Sequence, residues 1–226
     1  RVGRIELLTR LIEDSRVSPD YARETEDISE KSRIVRLPCG PQGYIAKENL
    51  WRFLPEFIDN AIAYLKRQPR LPDILHGHYA DGGHVASRIS KALGIPFLFT
   101  AHSLGRYKRE RLLAERIEAE EESVENASRI IASTNYELNT QYAAYDHFNR
   151  DAVEIIPPGS DIVGLPLRPA RTQVLRLAES LEPFLRYPRR PPIVAIARPD
   201  RQKNIEGLIH AFGQSDLRHK ANLILL

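Results

Sequence analysis

The chain has 226 residues, 33 Lys and Arg against 30 Asp and Glu, and 42% hydrophobic residues; this is room for one large domain or two modest ones, at a net charge of only +3. No stretch approaches the ~18 apolar residues of a membrane span, and no signal-peptide pattern opens the chain. One cysteine, Cys39, excludes an internal disulfide framework and a multi-thiolate zinc site and fits a reducing, cytoplasmic compartment, while interspersed charges carry no nucleic-acid signature despite a pI near 9.0.

In chain order, residues 5–9 and 34–37 read as short strands. Residues 47–67 form an amphipathic helix in which Leu50, Leu54, Phe57, Ile58, Ala61 and Leu65 recur at three- and four-residue steps. A strand at 74–79 is followed by a helix that Gly82-Gly83 opens and Gly94 and Pro96 close. Strands at 97–100, 129–133 and 153–156 alternate with helices at 106–126 and 134–145. This β-then-α order predicts an α/β protein with parallel sheets and helices on both faces.

Eight of the 16 prolines fall between Pro157 and Pro192, which marks a boundary. The expected division is a first Rossmann-like domain over 1–160, a linker with one helix over 161–190, and the start of a second Rossmann-like domain over 191–226. The chain has no Met and ends on Leu225-Leu226 inside a predicted strand, so it reads as a portion of a longer protein.

In open α/β sheets, ligands bind beyond the carboxyl ends of strands. The first such end here is His76-Gly77-His78-Tyr79-Ala80-Asp81-Gly82-Gly83. His76 and His78 share one strand face, and three readings stay open for them: hydrogen-bonded packing, a metal site with Asp81, or the lining of a substrate cleft. Gly82 and Gly83 present unhindered amides near a helix start, suited to an anion or a sugar hydroxyl. The second end delivers His102 to the sheet edge, then leads through Gly105 into a run of cations that includes Lys108. No G-x-S-x-G elbow surrounds any serine, which disfavours a Ser-His hydrolase. The third is Arg198-Pro199-Asp200-Arg201-Gln202-Lys203-Asn204, where two cations flank a turn before a helix, an arrangement suited to a diphosphate or simply a polar turn. A fourth, Ile156-Pro157-Pro158-Gly159-Ser160-Asp161, makes a rigid turn. Neither a G-x-x-x-x-G-K-[ST] loop nor a D-x-D motif occurs.

As an ordered set these segments, with Arg116-Ile117-Glu118-Ala119-Glu120-Glu121 and Lys47-Glu48, resemble glycosyltransferase family 4, and within it the sucrose-phosphate synthases, of GT-B fold. The resemblance implies two Rossmann-like domains whose parallel sheets face an inter-domain cleft, the second incomplete in this chain. It implies a retaining transfer of glucose from UDP-glucose, or ADP-glucose, to fructose 6-phosphate, without a metal or other cofactor. By the same resemblance Arg198 and Lys203 hold the donor diphosphate and His102 lies beside the transferred glucose. Lys47, Lys108, Arg116 and Gly82 then face the acceptor. Alternatives are sucrose synthase, another family 4 transferase with a different acceptor, or a sugar-phosphate-binding module without turnover. The family's amino-terminal glycine-rich loop and its E-x7-E motif do not occur in this chain, and the family carries extra residues between Lys108 and Arg116.

Overall fold

The structure is a computed structural model that describes residues 3–107, 114–160, 168 and 170–226. The chain divides into two compact units, Arg1–Gly159 and Ser160–Leu226.

The first unit opens with a three-stranded sheet of β1 (Ile5–Arg10), β2 (Thr25–Ser29) and β3 (Ser32–Leu37), in the order β1-β3-β2. β1 and β3 run parallel, and β2 folds back antiparallel on β3. Sequence reading misses β2 for a physical reason. It is an edge strand with no buried side chain, and its one large apolar residue, Ile28, faces solvent, so no alternating pattern marks it.

α1 (Leu54–Lys66) starts later than its apolar periodicity suggests, after 3₁₀ turns at Lys47–Asn49 and Trp51–Phe53. Pro55 sets the start: it lacks an N–H and its ring would strike the carbonyl four residues back, so only the first helical turn accepts it. Leu54, Ile58, Ala61 and Leu65 are the buried face of α1, and Ile58, Ala61 and Leu65 cluster with Val35, Leu37 and Ile89. Burying one such aliphatic side chain contributes about 1.5–3 kcal/mol.

A second sheet holds β4 (Leu75–His78), β5 (Phe97–Thr100), β6 (Arg129–Ala132) and β7 (Val153–Ile155), all parallel and in sequence order. Phe97, Phe99 and Ile130 are wholly buried at its centre, and Leu75 packs against both core clusters of this unit. α2 (Tyr79–Leu93) begins at Tyr79, directly on leaving β4, rather than at Gly82. It ends as predicted at Gly94, whose φ of 68° supplies the left-handed cap while its N–H donates to Ser90 O at 2.8 Å.

The charged segment expected to be helical from 106 is α3 (Ala114–Asn126) in its later part; Arg106 and Tyr107 lie in a turn, and residues 108–113 fall outside the described residues. After β6, Thr134 Oγ1 accepts the Glu137 N–H at 3.1 Å and the Glu137 carboxylate accepts the Ser133 N–H at 2.6 Å, a relative of the capping box whose carboxylate reaches one residue further back. The helix that follows is widened to a π-turn at Glu137–Gln141 and tightened to a 3₁₀ turn at Tyr142–Ala144, a departure from the plain α-helix expected. In the second unit, α4 (Arg171–Leu181) precedes β8 (Pro192–Ala195), α5 (Ile205–Gln214) and β9 (Asn222–Leu225), with β8 and β9 parallel.

Close contact of α2 with β4 on one side and with β5 and α3 on the other depends on two glycines. A Cβ on Gly77 would lie 2.7 Å from Gly82 O and 2.8 Å from Gly83 Cα, and one on Gly83 would lie 2.5 Å from the Phe99 ring and from Ser123 Oγ. At Gly82 the nearest atom would be 3.8 Å away. Gly77→Ala should therefore lower stability by about 1–3 kcal/mol, because backbone rather than a side-chain tip must yield, and Gly82→Ala should change it by less than about 1 kcal/mol. Urea midpoints of the full-length protein check this; equal midpoints for both variants would contradict the packing described.

Candidate functional site

Parallel pairing of β4 with β5 sets His78 opposite Thr100, so both strands deliver their carboxyl ends to the same edge. There His76 Nε2 lies 2.8 Å from Thr100 Oγ1, and His78 Nδ1 lies 2.8 Å from His102 Nε2. The His76 and His78 rings are 4.1 Å apart, those of His78 and His102 stack at 5.1 Å, and Tyr79 lies 4.7 Å from His102. Lys47 Nζ sits 5.7 Å from the centre of the Tyr79 ring. Two residues from distant parts of the sequence, Lys47 and His102, thus share one aromatic side chain.

Two of these residues have backbones that L-amino acids rarely adopt. Tyr79 has φ of 61° and His102 has φ of 54°. At His102 the cause is visible: Ser103 N–H donates to Ala101 O at 2.6 Å and closes a three-residue turn around the histidine. Such positions cost roughly 1–3 kcal/mol and persist only where surrounding structure imposes them.

Burial pushes the imidazoles of His76 and His78 below the ordinary histidine value, and neighbouring imidazoles push the same way. The His78–His102 hydrogen bond requires one ring to accept, so at least one is neutral where it forms. Among the described residues, no three or more His, Cys, Asp or Glu side chains are placed to share a metal ion.

The other predicted acceptor residues divide. Lys47 is exposed at the start of its 3₁₀ turn. Lys108 falls outside the described residues. Arg116 is buried and committed to internal partners, with Nε donating to Glu120 Oε1 at 2.8 Å and Nη2 to Ser103 O at 2.7 Å. Gly82 lies in the fourth position of α2, where its amide serves the helix; the amides left over at the helix start belong to His78, Tyr79, Ala80 and Asp81.

In the second unit, Arg198 and Lys203 flank one turn after β8. Asp200 Oδ1 accepts the Lys203 N–H at 3.1 Å, and Asn204, at φ of 49°, caps α5 through Oδ1 to Gly207 N at 3.3 Å. Arg198 is 87% exposed with only a loose 3.7 Å contact to Asp200, and Lys203 is exposed. Two solvated cations just ahead of a helix N-terminus make an anion-accepting corner.

Sequence reading gave no role to Tyr79 or Glu120. Tyr79 carried a signal, a bulky aromatic between a strand histidine and a helix start. Glu120 stands four residues after Arg116 with Ala119 and Ser123 nearby, small residues that betray a packed face within a charged helix.

Residues 13–163 match the family model described as Glycosyltransferase Family 4. Curated relatives include sucrose-phosphate synthase 4 of Arabidopsis thaliana, 32% identical over 302 aligned positions, and a sucrose-phosphate synthase of Zea mays, 33% identical over 307. Both alignments take in 100% of this chain but only 29% of the relative. Aligned spans longer than the 226 residues of this chain mean that those relatives carry additional residues within the matched region. Among solved structures, a sucrose-phosphate synthase from Thermosynechococcus elongatus superposes with a TM-score of 0.72 at 20% identity, over 98% of this chain and 62% of that one. HepE of Anabaena, solved with UDP and glucose, gives 0.62 at 14% identity over 85% of this chain and 47% of that one. These likenesses establish the fold, the mixed α/β, parallel-sheet architecture of GT-B glycosyltransferases, of which this chain holds part.

Lowered histidine values make the site acid-sensitive. The unfolded chain binds protons at these two sites more readily than the folded one, so their contribution to stability is present above pH 6.5 and is lost as pH falls through the lowered folded values. Imidazole resonances of His76 and His78 should titrate below 6.5, and a midpoint at or above 6.5 for either would contradict the cluster as described.

Proposed function

The chain belongs to glycosyltransferase family 4, and from that premise we propose that it is part of a retaining glucosyltransferase that moves glucose from UDP-glucose to fructose 6-phosphate, releasing UDP and sucrose 6-phosphate. The observation that carries the reading is the convergence of Lys47 and His102 on Tyr79 at the carboxyl ends of β4 and β5. It joins a cation suited to an acceptor phosphate to a histidine suited to the transferred sugar. The sucrose-phosphate synthase relatives support this acceptor, and HepE, solved with UDP and glucose, supports the donor.

In this reading Arg198 and Lys203 hold the diphosphate of the donor. As the bond from the glucosyl carbon to the phosphate oxygen breaks, negative charge grows on the departing UDP, and fixed cations lower that barrier. The acceptor hydroxyl attacks from the side the UDP leaves, which retains the anomeric configuration, and its proton passes to the departing phosphate oxygen. No protein base is required. His102 acts by hydrogen bonding and charge stabilisation beside the glucose, and Gly82, its amide taken up by α2, can offer the acceptor only its side-chain-free surface. Lys47 and Lys108 meet the acceptor phosphate, while Arg116 holds the turn through Ser103 O. A phosphate pocket of this kind discriminates strongly, because fructose without its phosphate leaves cations unpaired.

UDP release by the full-length protein, with UDP-glucose and either fructose 6-phosphate or fructose, tests the reading. Fructose 6-phosphate should be preferred by at least about 100-fold in kcat/KM. Comparable turnover of both sugars would point to another family 4 acceptor, and absence of turnover to a binding module. Lys47→Ala should raise KM for fructose 6-phosphate more than for UDP-glucose, whereas Arg198→Ala should lower kcat by roughly 10²–10³-fold. The reverse pattern would exchange the two sites.

A further inference from the structure

Four backbone polar groups on either side of His102 are held by side chains from other segments. Ala101 N–H donates to Tyr142 Oη at 3.0 Å, Ser103 O accepts from Arg116 Nη2 at 2.7 Å, Gly105 N–H donates to Glu120 Oε2 at 2.8 Å, and Arg106 N–H donates to Tyr145 Oη at 3.2 Å. Tyr145 Oη donates in turn to the same Glu120 oxygen, and Tyr142 Oη lies 3.4 Å from Ile131 O on β6. Tyr142 and Glu120 are wholly buried and Tyr145 nearly so. Burial pushes both phenols above the usual tyrosine range, and Glu120 adds to the effect at Tyr145, so both hydroxyls remain protonated donors. None of these three side chains is exposed enough to touch a substrate.

We propose that Tyr142, Tyr145 and Glu120 are positioning residues that hold His102 in its positive-φ turn against Tyr79 and His78, and so set the catalytic competence of the site without contacting either substrate. The inference deepens the glucosyltransferase reading and rests on it for its kinetic part. A left-handed histidine in a three-residue turn relaxes unless its neighbours are pinned, and here the pins are a carboxylate from α3 and two hydroxyls from the 3₁₀ turn that follows the π-turn and its C-cap residue. Removing one hydroxyl leaves the Ala101 N–H, or the Glu120 oxygen that faces Tyr145, buried without its partner, and the cheapest repair is to let the turn move. A displacement of about 1 Å at a reacting centre is enough to cost on the order of 100-fold in rate.

Tyr142→Phe and Tyr145→Phe in the full-length protein remove only the hydroxyls. Each should lower kcat for glucose transfer by about tenfold or more while KM for fructose 6-phosphate and for UDP-glucose stays within about twofold, the split expected when transition-state contacts alone are lost. Independently of activity, ¹³C-histidine spectra without substrate should show the His78 and His102 imidazole resonances displaced in both variants, with His210 and His219 of the other unit unmoved. Unchanged His78 and His102 resonances in folded Tyr142→Phe or Tyr145→Phe, or a raised KM at unchanged kcat, would overturn the proposal. If the wild-type protein transfers no glucose, the functional reading fails while the imidazole spectra still decide the clamp. If Tyr142→Phe does not fold, Tyr145→Phe decides alone.

Discussion

A carboxylate with no access to water has to find its charge partners inside the protein, and Glu120 finds them in three separate segments. Arg116 comes from its own helix, the Gly105 amide from the turn after β5, and the Tyr145 hydroxyl from beyond the π-turn. An ion of this kind, left unpaired, costs several kcal/mol, and breaking one member of a buried pair typically costs about 3–5 kcal/mol. Losing any one of these partners therefore leaves the carboxylate short of a donor where water does not reach, which ties the three segments to one another. What they enclose is the turn that carries His102. The strain at that histidine is local, while the groups that impose it are spread over some forty residues of chain, from Ala101 to Tyr145.

The chemistry proposed divides between two kinds of electrostatic surface. At the β4 and β5 ends the groups are imidazoles and a phenol, with Lys47 over the ring; such a surface can hydrogen-bond a sugar without competing for its leaving group. At the turn after β8 the groups are two exposed cations in front of a capped helix. That division suits a reaction in which negative charge develops on one partner only. It also gives Asp200 and Asn204 a purpose that neither charge nor size would suggest, because they cap the turn through backbone amides and leave Arg198 and Lys203 exposed.

Much of this was legible in the sequence because strong local signals agree with the tertiary structure. The apolar repeat of α1, the Gly94 stop of α2 and the short apolar runs of β5 and β9 each carry their own evidence. Strand ends, where open α/β sheets tend to bind ligands, are legible in the pattern, so His102, Arg198 and Lys203 stand out as candidates before any geometry. Elements whose reasons lie elsewhere were not legible. β2 pairs along the edge of β3 without burying a side chain, α2 starts at Tyr79 on a positive φ, and the widened turn at Glu137–Gln141 carries Leu138 into the core cluster of Phe97 and Phe99. Arg116 illustrates the same limit. Its charge invites a phosphate, but its surroundings, invisible to spacing alone, bury it against Glu120.

The central claim is that one glucosyl group passes, with retention, to a phosphorylated ketose. It is tested most directly by the structure of the product that the full-length protein forms from UDP-glucose and fructose 6-phosphate, read by ¹H and ³¹P NMR. The account predicts a disaccharide that keeps its phosphomonoester and carries an α-configured glucosyl proton. A β-configured linkage, or a product without phosphate, would contradict it.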